Sequence, residues 1–273
     1  MTSTGPSSGG HEDGALLGSD PDGDGEILLP GYWKSSSGEP ALIAHGGDIM
    51  PGDGLGDFFA RMPDAKLYAY RGDGYGSTDI TQRTLVLLPE SSPSPATFDQ
   101  MIVGDYNLDK RPDLFVTTKT GGMWAFTGYT GVAFTSATQI ASTAWLDRDL
   151  VTVGDIDLDG APDLLFRSES DNLRIRYGVK ATTGGATIES LTTSAGSRDG
   201  TDATYASGWN TTDFPTRFLR GTPDVNKDGI PDIWTMTADG SIAFYKGGKT
   251  TLGTATTVIS AASEWDQTKL SFG

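Results

Sequence analysis

Four times along the chain a cluster of aspartates runs straight into an apolar segment, and this repeat constrains the fold more than any other feature. "GDIDLDGAPDLLF" (154–166) holds Asp155, Asp157, Asp159 and Asp163. "GDYNLDKRPDLFV" (104–116) holds Asp105, Asn107, Asp109 and Asp113, and "PDVNKDGIPDIWT" (223–235) holds Asp224, Asn226, Asp228 and Asp232. "GDIMPGDGLGDFFA" (47–60) holds Asp48, Asp53 and Asp57 with one extra residue in its loop. Ten residues after the last aspartate a second apolar run begins in every copy, at Leu67, Met123, Leu173 and Ile242. Each of these runs ends in a glycine: Gly72, Gly128, Gly178 or Gly247. Self-similarity at a period of about 50–70 residues means stacked or radial repeats of one small unit.

Each unit reads as four short strands. An apolar stretch precedes the aspartate loop ("ALIAHG", "QMIVG", "LVTVG", "RFLRG"), two strands follow it, and a Thr/Val/Ile-rich run closes the unit ("TQRTLVLLP", "SATQIAST", "ATIESLTT", "TATTVIS"). β-branched residues between glycine and aspartate turns favour strands, and no stretch keeps a capped helical period. Four-stranded units repeated in this way are the blades of a β-propeller. The chain ends fit the same plan. "EWDQTKLSFG" (264–273) resembles a first strand, and "ALLGSDPDGDGEILLPG" (15–31) resembles the two strands after a loop. Joined, they predict a fifth blade that closes the ring and removes free sheet edges. The expectation is an all-β, five-bladed propeller over 15–273, preceded by a linker-like segment over 1–14 that marks the chain as a piece of something longer.

The aspartate spacing carries chemistry. Carboxylates at positions 1, 3 and 5 of a tight loop converge on one point, a glycine at position 6 permits the sharp turn, position 7 offers a carbonyl, and position 9 closes the cage. Hard oxygen donors on a flexible loop suit Ca²⁺ better than Mg²⁺ or Zn²⁺. The expected ligands are Asp155, Asp157, Asp159, Ala161 and Asp163; Asp224, Asn226, Asp228, Ile230 and Asp232; Asp105, Asn107, Asp109, Arg111 and Asp113; and Asp48, Asp53 and Asp57. Three to four Ca²⁺ ions follow. The loop at 105 puts Lys110 where glycine is preferred, and the loop at 48 lacks a position-3 carboxylate, so the loop at 155 ranks first.

The formal charge of −16 argues against nucleic acid and anionic membranes as partners. No apolar run approaches the ~20 residues of a membrane-spanning helix. There is no cysteine, so no disulfide and no thiolate site. The histidines are His11 and His45, which leaves little for a nucleophile–base pair, and no G-x-S-x-G elbow exists. Of the acids outside the loops, Asp147, Asp149, Asp213 and Glu264 show no pairing of the kind glycoside hydrolysis needs. Trp33, Trp145, Trp209 and Trp265 recur near the turn from one unit into the next. They fit either stacking platforms for sugars or packing between blades, with Trp145 and Trp265 expected to be the more exposed. The "RGD" at 71–73 is read as a chance tripeptide.

The three loop-and-hairpin segments at 104–128, 154–178 and 222–247 resemble FG-GAP/VCBS-type repeats, which occur in the integrin α-subunit propeller and in secreted bacterial proteins, notably of actinomycetes. The resemblance spans about residues 42–250. It implies a calcium-stapled, non-catalytic propeller, and the expectation is a secreted recognition module of a larger protein or complex that binds surface carbohydrate. A protein–protein adaptor and a glycoside-active enzyme are the alternatives.

Overall fold

The structure is a computed structural model that describes residues 32–50, 53–73, 78, 80–170, 172–209, 216–222, 224–237 and 239–261. Its sixteen strands form four antiparallel four-stranded sheets, each in chain order. The first contains β1 (Leu42–Gly47), β2 (Asp57–Arg61), β3 (Leu67–Tyr70) and β4 (Thr84–Leu85). The second contains β5 (Phe98–Gly104), β6 (Asp113–Thr118), β7 (Met123–Thr127) and β8 (Ser136–Ala141). The third contains β9 (Asp149–Gly154), β10 (Asp163–Arg167), β11 (Leu173–Arg176) and β12 (Ala203–Ala206). The fourth contains β13 (Thr216–Thr222), β14 (Asp232–Thr237), β15 (Ile242–Tyr245) and β16 (Ala255–Ile259). These are the blades of a propeller. The first strands line its centre and touch in succession, β1 with β5, β5 with β9 and β9 with β13.

Strand periodicity decides which blade meets which. Side chains alternate across a strand, so neighbours in sequence face opposite sides. Leu114 and Val116 of β6 pack with Phe59 and Leu67 of the first blade. Phe115, between them, packs with Leu164 and Phe166 of the third. Leu165 in turn faces Leu219, Ile233 and Tyr245 of the fourth. A middle strand is therefore buried on both faces, which is why "DLFV" and "DLLF" are unbroken apolar runs. Each fully buried Leu or Phe contributes about 1.5–3 kcal/mol.

The inner strands approach so closely that a side chain is excluded at their ends. A Cβ on Gly104 would lie 2.9 Å from Val153, and one on Gly221 would lie 2.3 Å from Thr152. Side-chain bonds add to this: Gln100 bridges to Arg148 O and Leu150 N, and the Tyr205 hydroxyl donates to Gly248 O and accepts from its N–H.

One expected strand is absent. "ATIESLTT" folds as a short helix, α1 (Ile188–Thr192), and the third blade takes its fourth strand from Ala203–Ala206. Ile188 and Leu191, one helical turn apart, both pack on the core between the second and third blades. That spacing places them on one helical face but on opposite faces of a strand. The segments 15–31 and 264–273, read above as a split fifth blade, lie outside the described residues, as does the linker-like segment 1–14. Among the described residues the propeller has four blades. A cavity of about 910 Å³ extends from the centre to the exposed side of the fourth, lined among others by Ile43, His45, Ile102, Trp234 and Ile259. No helix of the described residues is long and apolar enough to cross a membrane.

Candidate metal loops

The four aspartate loops are the connections from the first to the second strand of each blade. In the third blade, Asp155 Oδ1 accepts from Asp159 N (3.0 Å) and Oδ2 from Gly160 N (2.9 Å), while Asp159 Oδ1 accepts from Ala161 N (2.8 Å). The fourth blade repeats this with Asp224, Gly229, Asp228 and Ile230, and the second with Asp105, Lys110, Asp109 and Arg111. The side chains thus wrap the backbone of the loop in all three blades. Asp155, Asp157 and Asp159 bring carboxylate oxygens within 4.8 Å of one another.

The loop at 48 makes two of the same bonds despite its inserted residue. Asp48 accepts from Gly54 N (3.0 Å) and Asp53 from Leu55 N (2.9 Å), the bonds that Asp155 and Asp159 make. Gly54 has φ +73°, as Gly160 has +91°. The inserted residue is absorbed ahead of the Asp-Gly pair, and Asp48, Asp53 and Asp57 also converge within 4.8 Å. The matching Asp-Gly dipeptides at 53–54, 159–160 and 228–229 were the available signal. Among the described residues the acids of the loops at 105 and 224 do not converge this closely. Asn226 turns its amide toward Asp232 Oδ1 (3.0 Å).

The last aspartate of each loop does more than close a cage. Asp57, Asp113, Asp163 and Asp232 each begin the second strand and are fully buried. Asp163 Oδ2 accepts from Ile156 N (3.1 Å), across the loop, and Oδ1 from Gly178 N (2.9 Å), at the end of the third strand. Asp57 and Asp232 make the same pair of bonds, to Ile49 and Gly72 and to Val225 and Gly247. A Cβ on Gly72, Gly178 or Gly247 would lie 2.0–2.2 Å from the carbonyl oxygen just before its aspartate, so only glycine fits. The constant spacing of aspartate and glycine in sequence is the trace of this staple. In the second blade the staple is open: Gly128 turns to φ +69°, and the buried Oδ1 of Asp113 has no partner. Burial pushes the Asp113 carboxyl up to about 8 and that of Asp163 up to about 7.

The tryptophan positions are corrected by packing. Trp145 is 1% exposed and Trp209 4% exposed. Trp145 stands edge-on to Phe166 at 5.1 Å with the Arg148 and Arg176 guanidiniums near its ring, and Trp209 packs on Tyr245 at 5.0 Å. Large rings at the seam between blades are worth more as packing than as an exposed platform. Trp33 is half-buried against Tyr70 and Phe58, and Trp265 lies outside the described residues.

Residues 105–166, from the second blade's loop into β10, match the sequence model of the FG-GAP-like repeat family. The chain thus carries an FG-GAP-like repeat within a propeller of four-stranded sheets. No curated protein matches it. Similar solved structures include the Tc holotoxin pore of Photorhabdus luminescens (14% identity, 86% of this chain and 10% of that one, TM-score 0.41). A Dos1 propeller (10% identity, 85% and 51%, TM-score 0.37) and NanB (12% identity, 85% and 32%, TM-score 0.40) are two others. The chain spans about half or less of each of these.

Proposed function

We propose that the protein is a secreted, non-enzymatic propeller whose loops hold Ca²⁺ and whose rim contacts a protein partner within a larger assembly. The observation that carries the metal reading is the convergence of Asp155, Asp157 and Asp159, and again of Asp48, Asp53 and Asp57, on one point each. The donors are all hard oxygens, which suits Ca²⁺. The guanidinium of Arg198 sits 2.5 Å from both Asp157 Oδ2 and Asp159 Oδ2, so these two oxygens already draw a positive charge. The bound ion would supply positive charge that fixes the turn between two strands, and its binding energy would become folding energy.

The non-enzymatic reading is supported by how the other acids are used. Asp149 pairs with Arg167, Glu169 with Arg148, Asp202 with Arg176, and Glu39 with Arg61 and Lys119. A protein partner is favoured over a glycan because Trp145 and Trp209 are committed to the core. Leu87 (57% exposed) and Val132 (54%), meanwhile, meet at the outer rim of the first two blades, where Leu87 N donates to Val132 O. Equilibrium dialysis against ⁴⁵Ca²⁺ should find three to four ions bound per chain. A glycan array and a crosslinking screen with Leu87→Asp as control separate the partner classes. Crosslinks lost in that variant support the adaptor, and a saturable glycan signal it leaves unchanged refutes it.

A further inference from the structure

The third blade's loop has the most carboxylates of the four, yet it is also the loop most heavily engaged by the protein's own cations. Arg198 reaches it from the long connection between β11 and β12. Its Nη1 bonds Asp157 Oδ2 and Asp159 Oδ2, each at 2.5 Å. Its Nε donates to Asp199 Oδ1 at 3.0 Å, and its guanidinium lies 4.3 Å from the centre of the Tyr177 ring. Its backbone N–H is tied to Tyr177 O. A second cation comes from the same connection: a Cβ on Gly160 would lie 3.0 Å from Lys180 Nζ. The cations at two other loops are held less firmly. Arg71 touches Asp53 (3.0 Å) and Lys246 touches Asp228 (3.2 Å), and both side chains are more than half exposed. Charge-assisted bonds held at several points keep a geometry that single exposed pairs do not.

We propose that Arg198 is a tethered competitor for the divalent cation at Asp157 and Asp159, so that metal entry must displace it and release the connection around residues 197–200. This rests on the calcium reading above. The guanidinium and an ion cannot share the same two oxygens at contact distance without repelling each other, so the loop is available only while Arg198 is away. If Arg198 holds it nine-tenths of the time, the apparent affinity falls about tenfold. The most acidic loop is then a responsive site whose occupancy moves a surface segment, and not the tightest one.

The test is calcium titration calorimetry on the intact chain and on Arg198→Gln. The expected result is one site tightened about tenfold with the others unchanged. Equal or weaker affinity at every site of the variant overturns the competitor role while leaving the calcium reading in place. Absence of calcium binding in both proteins overturns both. Amide exchange on the unaltered chain gives a readout that needs no variant. Calcium should speed exchange at 197–200 while slowing it at 155–160, and unchanged or slower exchange at 197–200 contradicts the proposal.

Discussion

At the scale of single residues, the buried aspartate at the head of the second strand staples the hairpin in three of the four blades, a role the sequence did not display. Spacing placed Asp163 in a metal loop, but its hydrogen bonds to Ile156 N and Gly178 N depend on how the hairpin closes. Replacing Asp163 by Ala leaves two buried N–H donors unpaired, and should cost about 2–4 kcal/mol even in calcium-free buffer. Asp157→Ala, which removes a partly exposed ion pair with Arg198 but leaves no buried donor unpaired, should cost less there. Urea melts of the two calcium-stripped variants compare them, and equal losses would contradict the staple. Lys110 was legible in full. Sequence placed it where glycine belongs, and it is held at φ +66°. Lys110→Gly should therefore stabilise the fold, by up to about 1 kcal/mol, in the same melts.

Among the elements, the aspartate-led hairpin is the conserved physical unit within this chain, and the connections around it vary. The second and third strands of every blade begin where the sequence placed them, because a constant loop and an alternating apolar pattern both fix register. The fourth strand of the third blade did not, because Thr and Ile enrichment in "ATIESLTT" resembles a strand until the Ile188–Leu191 spacing is weighed against a core already present. The hairpins also set a pH dependence. The folded-state pKa of Asp113 and Asp163 lies above the ordinary carboxylate range. Their contribution to the calcium-free fold is therefore full below about pH 4 and is lost as pH rises through about 7–8. Calcium-stripped protein should melt at a higher temperature at pH 5 than at pH 8, and Asp113→Asn should flatten that difference. A profile that rises with pH, or one that Asp113→Asn leaves unaltered, would speak against burial as the cause.

For the whole molecule, sheets packed face to face around a centre follow from repeat and periodicity alone. The blade count was less legible. Five blades rest on segments at 15–31 and 264–273 that lie outside the described residues, and the four described blades leave Val258 of the last strand 54% exposed. What the repeat could not reveal was the fate of the tryptophans, because a large ring at a blade seam has one sequence signature whether it faces a neighbour or solvent. The charge of −16 is the global counterpart of the loops. Four divalent ions would halve it to about −8, relieving repulsion across the molecule as well as within each loop. The central claim, that the loops hold calcium and that calcium holds the fold, is tested most directly by thermal melting of the intact chain. It predicts a clear drop in melting temperature in excess chelator, fully restored by Ca²⁺ and not by equimolar Mg²⁺, because the ion binds the native loops and hardly binds the unfolded chain. A melting curve unmoved by chelator would contradict it.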